Sequence, residues 1–131
     1  MKNRFKYTLS ENCPNLDKIL TDMEVYRLVS DDIALQSDFV PHFMQEKFKD
    51  KDWGVSLCSA QGISLMSKLS DIDMMKENMP NFTKRFKSIY VGNIKKEDGK
   101  LVATPSRKKP SHCDFYAFKE CNELEIFKDK I

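Results

Sequence analysis

Two periods in the hydrophobic pattern predict short helices and strands. Apolar residues recur at helical spacing over positions 14–23, where Pro14 suits the first turn of a helix. A second helical pattern covers residues 69–79, with Ser70 as the expected N-cap and Pro80 as its end. A short helix is also expected over residues 42–49, after Pro41.

Runs rich in β-branched and aromatic residues predict strands at 25–29 and 112–118. The runs 55–58 and 63–66 are each compatible with a short strand. The 112–118 strand alternates, with one face carrying Cys113, Phe115 and Ala117 and the other carrying His112, Asp114, Tyr116 and Phe118.

The pattern after residue 86 predicts a β-hairpin. Residues 87–94 and 101–104 have strand character, and Asp98-Gly99 between them is a dipeptide that favours tight hairpin turns. An exposed basic loop at 105–110 follows, and a closing helix is expected over 119–131.

These elements predict an α+β fold: a small mixed or antiparallel sheet with a C-terminal β-hairpin and strand group, flanked by three to four short helices. The chain has 131 residues, 40% of them apolar, and no repeat or linker. We therefore expect residues 1–131 to form a single globular domain.

Composition predicts a cytoplasmic protein without a membrane span. No apolar segment follows the basic N-terminus as in a signal peptide, and no run of apolar residues is long enough to cross a bilayer. The four cysteines could form two disulfides, but reduced thiols are expected in that compartment. No close pair of zinc ligands occurs, and we expect no metal and no cofactor.

Positive charge is concentrated in one window of a chain whose net charge is only +2. Residues 84–109 hold nine basic side chains against Glu97 and Asp98, a balance of +7. Such a surface attracts phosphate groups, and it also suits a solvated strand edge. The predicted anion-binding residues are Lys84, Arg85, Lys87, Lys95, Lys96, Arg107, Lys108 and Lys109.

The sequence has no phosphate-binding glycine loop and no serine-hydrolase elbow, which lowers the expectation of those activities. His112 is the kind of residue that serves as a general base, and Asp114 shares its face of the strand. Both also suit an ordinary strand that packs its other face inward.

An alternative function is suggested by three features of the sequence. They are Arg27 after Tyr26, Ser64 within Gly62-Ile63-Ser64-Leu65, and acidic residues near the end of the sequence. This order is similar to that of ADP-ribosyltransferase-like folds. The resemblance implies an enzyme acting on a nucleotide-like substrate, in which the Arg holds a nicotinamide dinucleotide phosphate and a Glu positions the ribose. The candidate catalytic residues are Arg27, Ser64 and His112, and the acidic candidates are Glu120, Glu123 and Glu125.

An aromatic segment predicts a protein contact. Phe39, Phe43, Phe48 and Trp53 lie in a charged, irregular stretch, and such residues are enriched at interface cores, although they also close domain cores. A protein partner or a homodimer is expected there.

The leading hypothesis is a small binding or accessory module that meets a nucleic acid or a nucleotide through residues 84–109. The enzyme and a homo-oligomeric structural protein are the alternatives.

Overall fold

The computed structural model describes residues 4–131, so the start of the basic N-terminus lies outside the described residues. Seven strands form one antiparallel sheet in the order β1-β5-β6-β3-β2-β4-β7. Their bounds are β1 Ile19–Leu20, β2 Met23–Val29, β3 Ile63–Met66, β4 Ser88–Ile94, β5 Gly99–Ala103, β6 His112–Ala117 and β7 Asp129–Lys130.

The helices are short, and the sheet dominates the fold. They are α1 Leu57–Ala60, α2 Leu69–Asn78, α3 Phe82–Arg85 and α4 Glu123–Ile126. Single 3-10 turns occupy much of the stretch between β2 and α1, at Gln36–Phe39, His42–Met44, Glu46–Phe48 and Gly54–Ser56. The α+β class is confirmed, but the sheet has more strands than expected and is not clearly flanked by three to four helices.

The predicted hairpin of residues 87–104 is wrong. The tight turn exists, since the Asp98 amide donates to the Lys95 carbonyl oxygen at 3.0 Å. However, β4 pairs with β2 and β7, whereas β5 pairs with β1 and β6. Three strands lie between β4 and β5, which would separate them by about 19 Å in a flat sheet. The sheet must therefore curl strongly for a tight turn to join them.

The curled sheet encloses the main hydrophobic core. Inward-facing residues of five strands meet there, among them Val25, Leu65 and Leu101. Cys113 and Phe115 belong to this core, while Tyr116 and Phe118 pack in a second cluster on the other face, so the predicted alternation of β6 is confirmed. A third cluster joins α2 and α3 to the sheet.

Two predicted helices are wrong for the same reason. Residues 14–23 form a 3-10 turn and then β1, in which Ile19 pairs with Val102. Residues 119–131 contain only the single turn of α4, and β7 then pairs with β4. In both segments the apolar side chains meet a strand edge, and pairing with that edge replaces the helical hydrogen bonds.

Helix α2 is confirmed and ends before Pro80. Its N-cap is Lys68, with no side-chain cap, instead of the predicted Ser70. Residues 42–49 form two 3-10 turns in place of the expected helix. Of the two ambiguous runs, 63–66 is strand β3 and 55–58 enters α1.

The expectation of four reduced cysteines is wrong for Cys13 and Cys58. These two form a disulfide with their Cα atoms 5.6 Å apart, although 45 positions separate them in the chain. Spacing could not reveal this pair, because the curl of the sheet brings α1 against the N-terminal segment. Cys113 and Cys121 are free and buried.

Among residues 4–131, no helix has both the length and the apolar character required to cross a membrane.

Candidate functional site

Strands β2 and β3 separate from each other and leave a cleft in the sheet. They share a single paired position, Tyr26 opposite Met66, whereas β2 and β4 pair along all seven residues of each strand. The cleft opens beside Arg27, the residue after this pair. Ligand sites commonly occupy such concave breaks in a sheet.

Arg27 is held at the cleft by backbone oxygens. Its guanidinium donates to the Asp38 carbonyl through Nε at 3.2 Å and Nη2 at 2.7 Å, and to the Ser64 carbonyl through Nη1 at 2.9 Å. The Asp38 carboxylate is occupied elsewhere, since it accepts from the Leu35 amide at 2.7 Å. Burial lowers the pKa of Arg27 to about 10, while Asp38 opposes that shift. The side chain therefore keeps its charge at neutral pH without a carboxylate directly on it.

A cavity of about 690 Å³, referred to below as the main lobe, lies over this cleft. This volume is within the range of small-molecule sites. Four cationic side chains line it against two acidic ones, and one of these, Glu46, also pairs with Lys49 at 3.0 Å. The surface is thus electropositive. The charged lining residues are Arg27, Lys47, Arg85 and Lys109, with Asp38 and Glu46.

Both histidines of the chain line the main lobe and are kept neutral. Burial lowers the pKa of His42, and the positive charges of Arg27, Lys47, Arg85 and Lys51 lower it further. Burial also lowers the pKa of His112, with Asp114 opposing the shift. The His112 Nδ1 lies 2.8 Å from Thr104 Oγ1.

A smaller cavity of about 140 Å³, the small lobe, adjoins the main lobe. Arg27, Val40, His42 and Ser64 line both. Trp53 adds an aromatic face to the small lobe, with its ring 6.5 Å from that of His42 and inclined by 16°. The two lobes together combine a basic region with an aromatic one.

Ser59 lines the small lobe, and a buried carboxylate lies behind it. The Ser59 Oγ donates to Asp114 Oδ2 at 2.7 Å, and Asp114 is 0% exposed. The other oxygen, Oδ1, has no hydrogen-bond partner among the described residues. Burial raises the pKa of Asp114, while Ser59 and His112 oppose that shift. An exposed hydroxyl is therefore fixed by a carboxylate that the solvent does not reach.

The structure brings the three weak catalytic candidates together, because Arg27, Ser64 and His112 all line the main lobe. It does not place the acidic candidates there. Glu123 is 1% exposed and pairs with Lys6 Nζ and with Gln36 Nε2. None of the three acidic candidates, one of which the resemblance would use to position the ribose, thus lines the main lobe.

The predicted anion-binding residues fall into two groups. Arg85 and Lys109 line the main lobe, and Lys84, Lys87, Arg107 and Lys108 are exposed beside them in the chain. Lys95 and Lys96 follow the opposite end of β4, roughly 25 Å away along the strand, and line a separate depression.

The aromatic segment is divided as well. Phe39 is 1% exposed and stacks on Phe127 in the main core, so it is not available to a partner. Phe48 and Trp53 pack on each other and on His42, and Phe43 is partly exposed. A partner surface there would consist of these last three aromatic residues.

Sequence reasoning missed several residues of the two lobes. Lys47, Ser59 and Asp38 carry no motif, and only their position in the fold brings them to the cleft. The sequence places Asp114 on the same strand face as His112 but gives no sign of its partner Ser59. No group of three or more potential metal ligands occurs among residues 4–131.

Comparison with protein-family models, with curated proteins and with solved structures finds no match to this chain.

Proposed function

We propose that the protein binds a small anionic ligand of the nucleotide class in the two lobes of the β2–β3 cleft. The observation that carries the proposal is Arg27, a partly buried cation whose hydrogen bonds all go to neutral carbonyl oxygens. A charge in this setting is well suited to bind an anion, because binding offsets the cost of its desolvation. Arg85 and Lys109 add positive charge on the same cavity.

The apolar and aromatic parts of the cavity favour a nucleotide over a bare inorganic anion. Tyr26, Phe86 and three methionines line the main lobe, and Trp53 and His42 line the small lobe. Flat side chains of this kind stack on bases, while Arg and Lys hold phosphates. The leading hypothesis assigned ligand binding to all of residues 84–109. The proposal assigns it to the two ends of that window, where Arg85 and Lys109 line the main lobe.

A nucleic-acid partner is less well supported by the same geometry. A polyanion that used the whole basic window would have to reach from Lys109 to Lys95 and Lys96, at the other end of β4.

The proposal does not extend to the cellular compartment. The sequence predicts a cytoplasmic protein, whereas disulfides such as Cys13–Cys58 are typical of oxidising compartments.

Isothermal titration with AMP, ribose 5-phosphate, inorganic phosphate and a 20-nucleotide single strand tests the proposal. We expect AMP to bind more tightly than either smaller anion. The double variant Arg85→Gln, Lys109→Gln should bind AMP about tenfold or more weakly, because charge-assisted hydrogen bonds are lost. The matched control, Lys95→Gln with Lys96→Gln, removes the same charge far from the cavity and should leave AMP binding unchanged.

Two outcomes would overturn the proposal. One is the absence of AMP binding at millimolar concentration. The other is binding of the oligonucleotide alone, with an equal loss in the control variant.

A second candidate is catalysis at the same cavity, favoured by the presence of Arg27, Ser64 and His112 in its lining. When neutral His112 donates its Nδ1–H to Thr104 Oγ1, its Nε2 is left to accept a proton. Incubation with a nicotinamide dinucleotide and measurement of released nicotinamide tests this candidate. Arg27→Ala must remove any turnover observed, and turnover that persists in this variant excludes the assignment.

A further inference from the structure

We propose that Asp114 fixes the Ser59 hydroxyl as a hydrogen-bond acceptor, so that the small lobe selects nucleotides whose base presents an exocyclic amine. The inference rests on the proposed function and deepens it by naming the class of base. Ser59 would contact the ligand directly, and Asp114 would be a positioning residue behind it.

The argument begins with the single hydrogen of the Ser59 hydroxyl. A serine has one O–H to donate and two lone pairs to accept with. An ionised carboxylate can only accept, so the 2.7 Å contact with Asp114 Oδ2 uses that hydrogen. The lone pairs of Ser59 Oγ then remain for a group in the small lobe, and this group has to be a donor.

The surroundings of Asp114 make this arrangement stable. The carboxylate is completely buried on β6, with Ser64 opposite it on β3 and His112 two residues before it. Its Oδ1 has no partner among the described residues, and Oδ2 accepts from Ser59 Oγ at 2.7 Å, while Thr104 also favours the charged carboxylate. Turning the Ser59 hydrogen toward a ligand would remove this short hydrogen bond from a buried carboxylate, which is costly.

The other walls of the small lobe supply the remaining recognition. Trp53 and His42 offer flat faces, and Arg27 lines both this lobe and the main lobe, whose cations would hold the phosphate. Gly62 and Ala60 keep the floor free of large side chains. A base edge inserted here would meet the Ser59 Oγ as an acceptor.

The test compares AMP with IMP, which differ at the base edge: AMP carries an exocyclic amine where IMP carries a carbonyl oxygen. Titrations are made at pH 8.5, because burial raises the pKa of Asp114 and a higher pH favours its ionised form. We expect the wild-type protein to prefer AMP by about tenfold or more, because an unmatched polar pair in a desolvated site is costly.

The variant Asp114→Asn separates this role from a structural one. Its amide would donate to Ser59 Oγ, the acceptor beside it, and the Ser59 hydrogen would turn toward the ligand. The preference should then move toward IMP, while a merely structural loss would weaken both nucleotides equally. Ser59→Ala should abolish the preference, and Ser56→Ala, on the same lobe but without a carboxylate partner, should retain it.

The outcomes distinguish the two proposals. If AMP and IMP bind equally to the wild type, or if Asp114→Asn leaves their ratio unchanged, the selection inference fails and nucleotide binding stands. If neither nucleotide binds, both proposals fail. Should Asp114→Asn not fold, the AMP-to-IMP ratios of the wild type, Ser59→Ala and Ser56→Ala decide the matter.

Discussion

At the scale of single residues, the charge of Arg27 governs the chemistry of the cleft. Its donors are fixed by the Asp38 and Ser64 carbonyls, so the guanidinium cannot turn away from the cavity without breaking three hydrogen bonds. The neighbouring His42 responds to this charge, since Arg27 is the largest electrostatic contributor to the lowering of its pKa. His42 is therefore a natural reporter of anion binding.

We predict that AMP binding raises the pKa of His42. A bound phosphate screens the repulsion from Arg27, Lys47, Arg85 and Lys51, which lowers this pKa in the free protein. Binding then takes up protons at His42, so AMP affinity, corrected for the titration of the AMP phosphate near pH 6, should increase, roughly twofold or more, as the pH falls from 8 to 6. NMR titration of the two histidine rings, with and without AMP, measures the shift directly.

The opposite result has a clear meaning. A His42 pKa that falls or stays constant on AMP binding would place the phosphate away from Arg27.

In the free protein, the lowered pKa values of His42 and His112 also predict a loss of stability as the pH falls below 6.5, because the unfolded chain then binds more protons than the folded one.

At the scale of elements, helix α4 packs closely against strand β4 at Gly92. A Cβ added at Gly92 would lie 2.6 Å from the Ile126 carbonyl oxygen and 2.9 Å from the Phe127 ring. Because the first of these atoms is backbone, it cannot move aside as a flexible side chain would. This close approach fixes the C-terminal segment against the sheet.

We therefore expect Gly92→Ala to lower the free energy of unfolding by about 1–3 kcal/mol, the usual cost of overpacking a buried site. Urea unfolding monitored by Trp53 fluorescence measures the change. Asn93→Ala, at the exposed next position of β4, is the control and should stay within about 0.5 kcal/mol of the wild type. Equal stability of the two variants would contradict the close approach of α4.

Elements with a strong local pattern could be predicted from the sequence, and non-local strand pairing could not. Alternation along β6 and the helical repeat of α2 are local properties, and both predictions are confirmed. A tight turn does form between these strands, at residues 95–98 and not at Asp98-Gly99, and the two strands then diverge. Local residues decide the turn, whereas burial against β2 and β6 decides where each strand pairs.

The candidate site was predictable only in pieces. Arg27, Ser64, His112 and the basic residues Arg85 and Lys109 were each singled out, but as members of separate groups. Their meeting depends on the separation of β2 from β3, which has no signature in the sequence. The Ser59–Asp114 contact spans 55 positions and could not be inferred without the fold.

At the scale of the whole molecule, the Cys13–Cys58 disulfide ties the N-terminal segment to α1. Tyr116 reinforces this junction by donating to the Cys58 carbonyl oxygen at 2.8 Å. We expect the double variant Cys13→Ser, Cys58→Ser to lose about 2–4 kcal/mol of stability, as is typical when a native disulfide is removed.

Urea unfolding of the wild type with and without a reducing agent checks this prediction. The reduced wild type should match the double variant, and an unfolding midpoint insensitive to the reductant would contradict the prediction.

Burial raises the pKa of Cys113 and of Cys121 to about 12, so neither thiol should react with a thiol reagent until the protein unfolds.

The order of the strands also affects how the protein is made. Strand β3 pairs with β6, so Met66 cannot pair until its partner His112, 46 positions later in the chain, has been synthesised. At ordinary rates of translation this delay lasts roughly 2–9 s. During that time β2 and β4 can already pair, but the wall that carries Ser64 and His112 cannot close. A nascent chain therefore acquires its ligand-binding capacity only after β6 has left the ribosome.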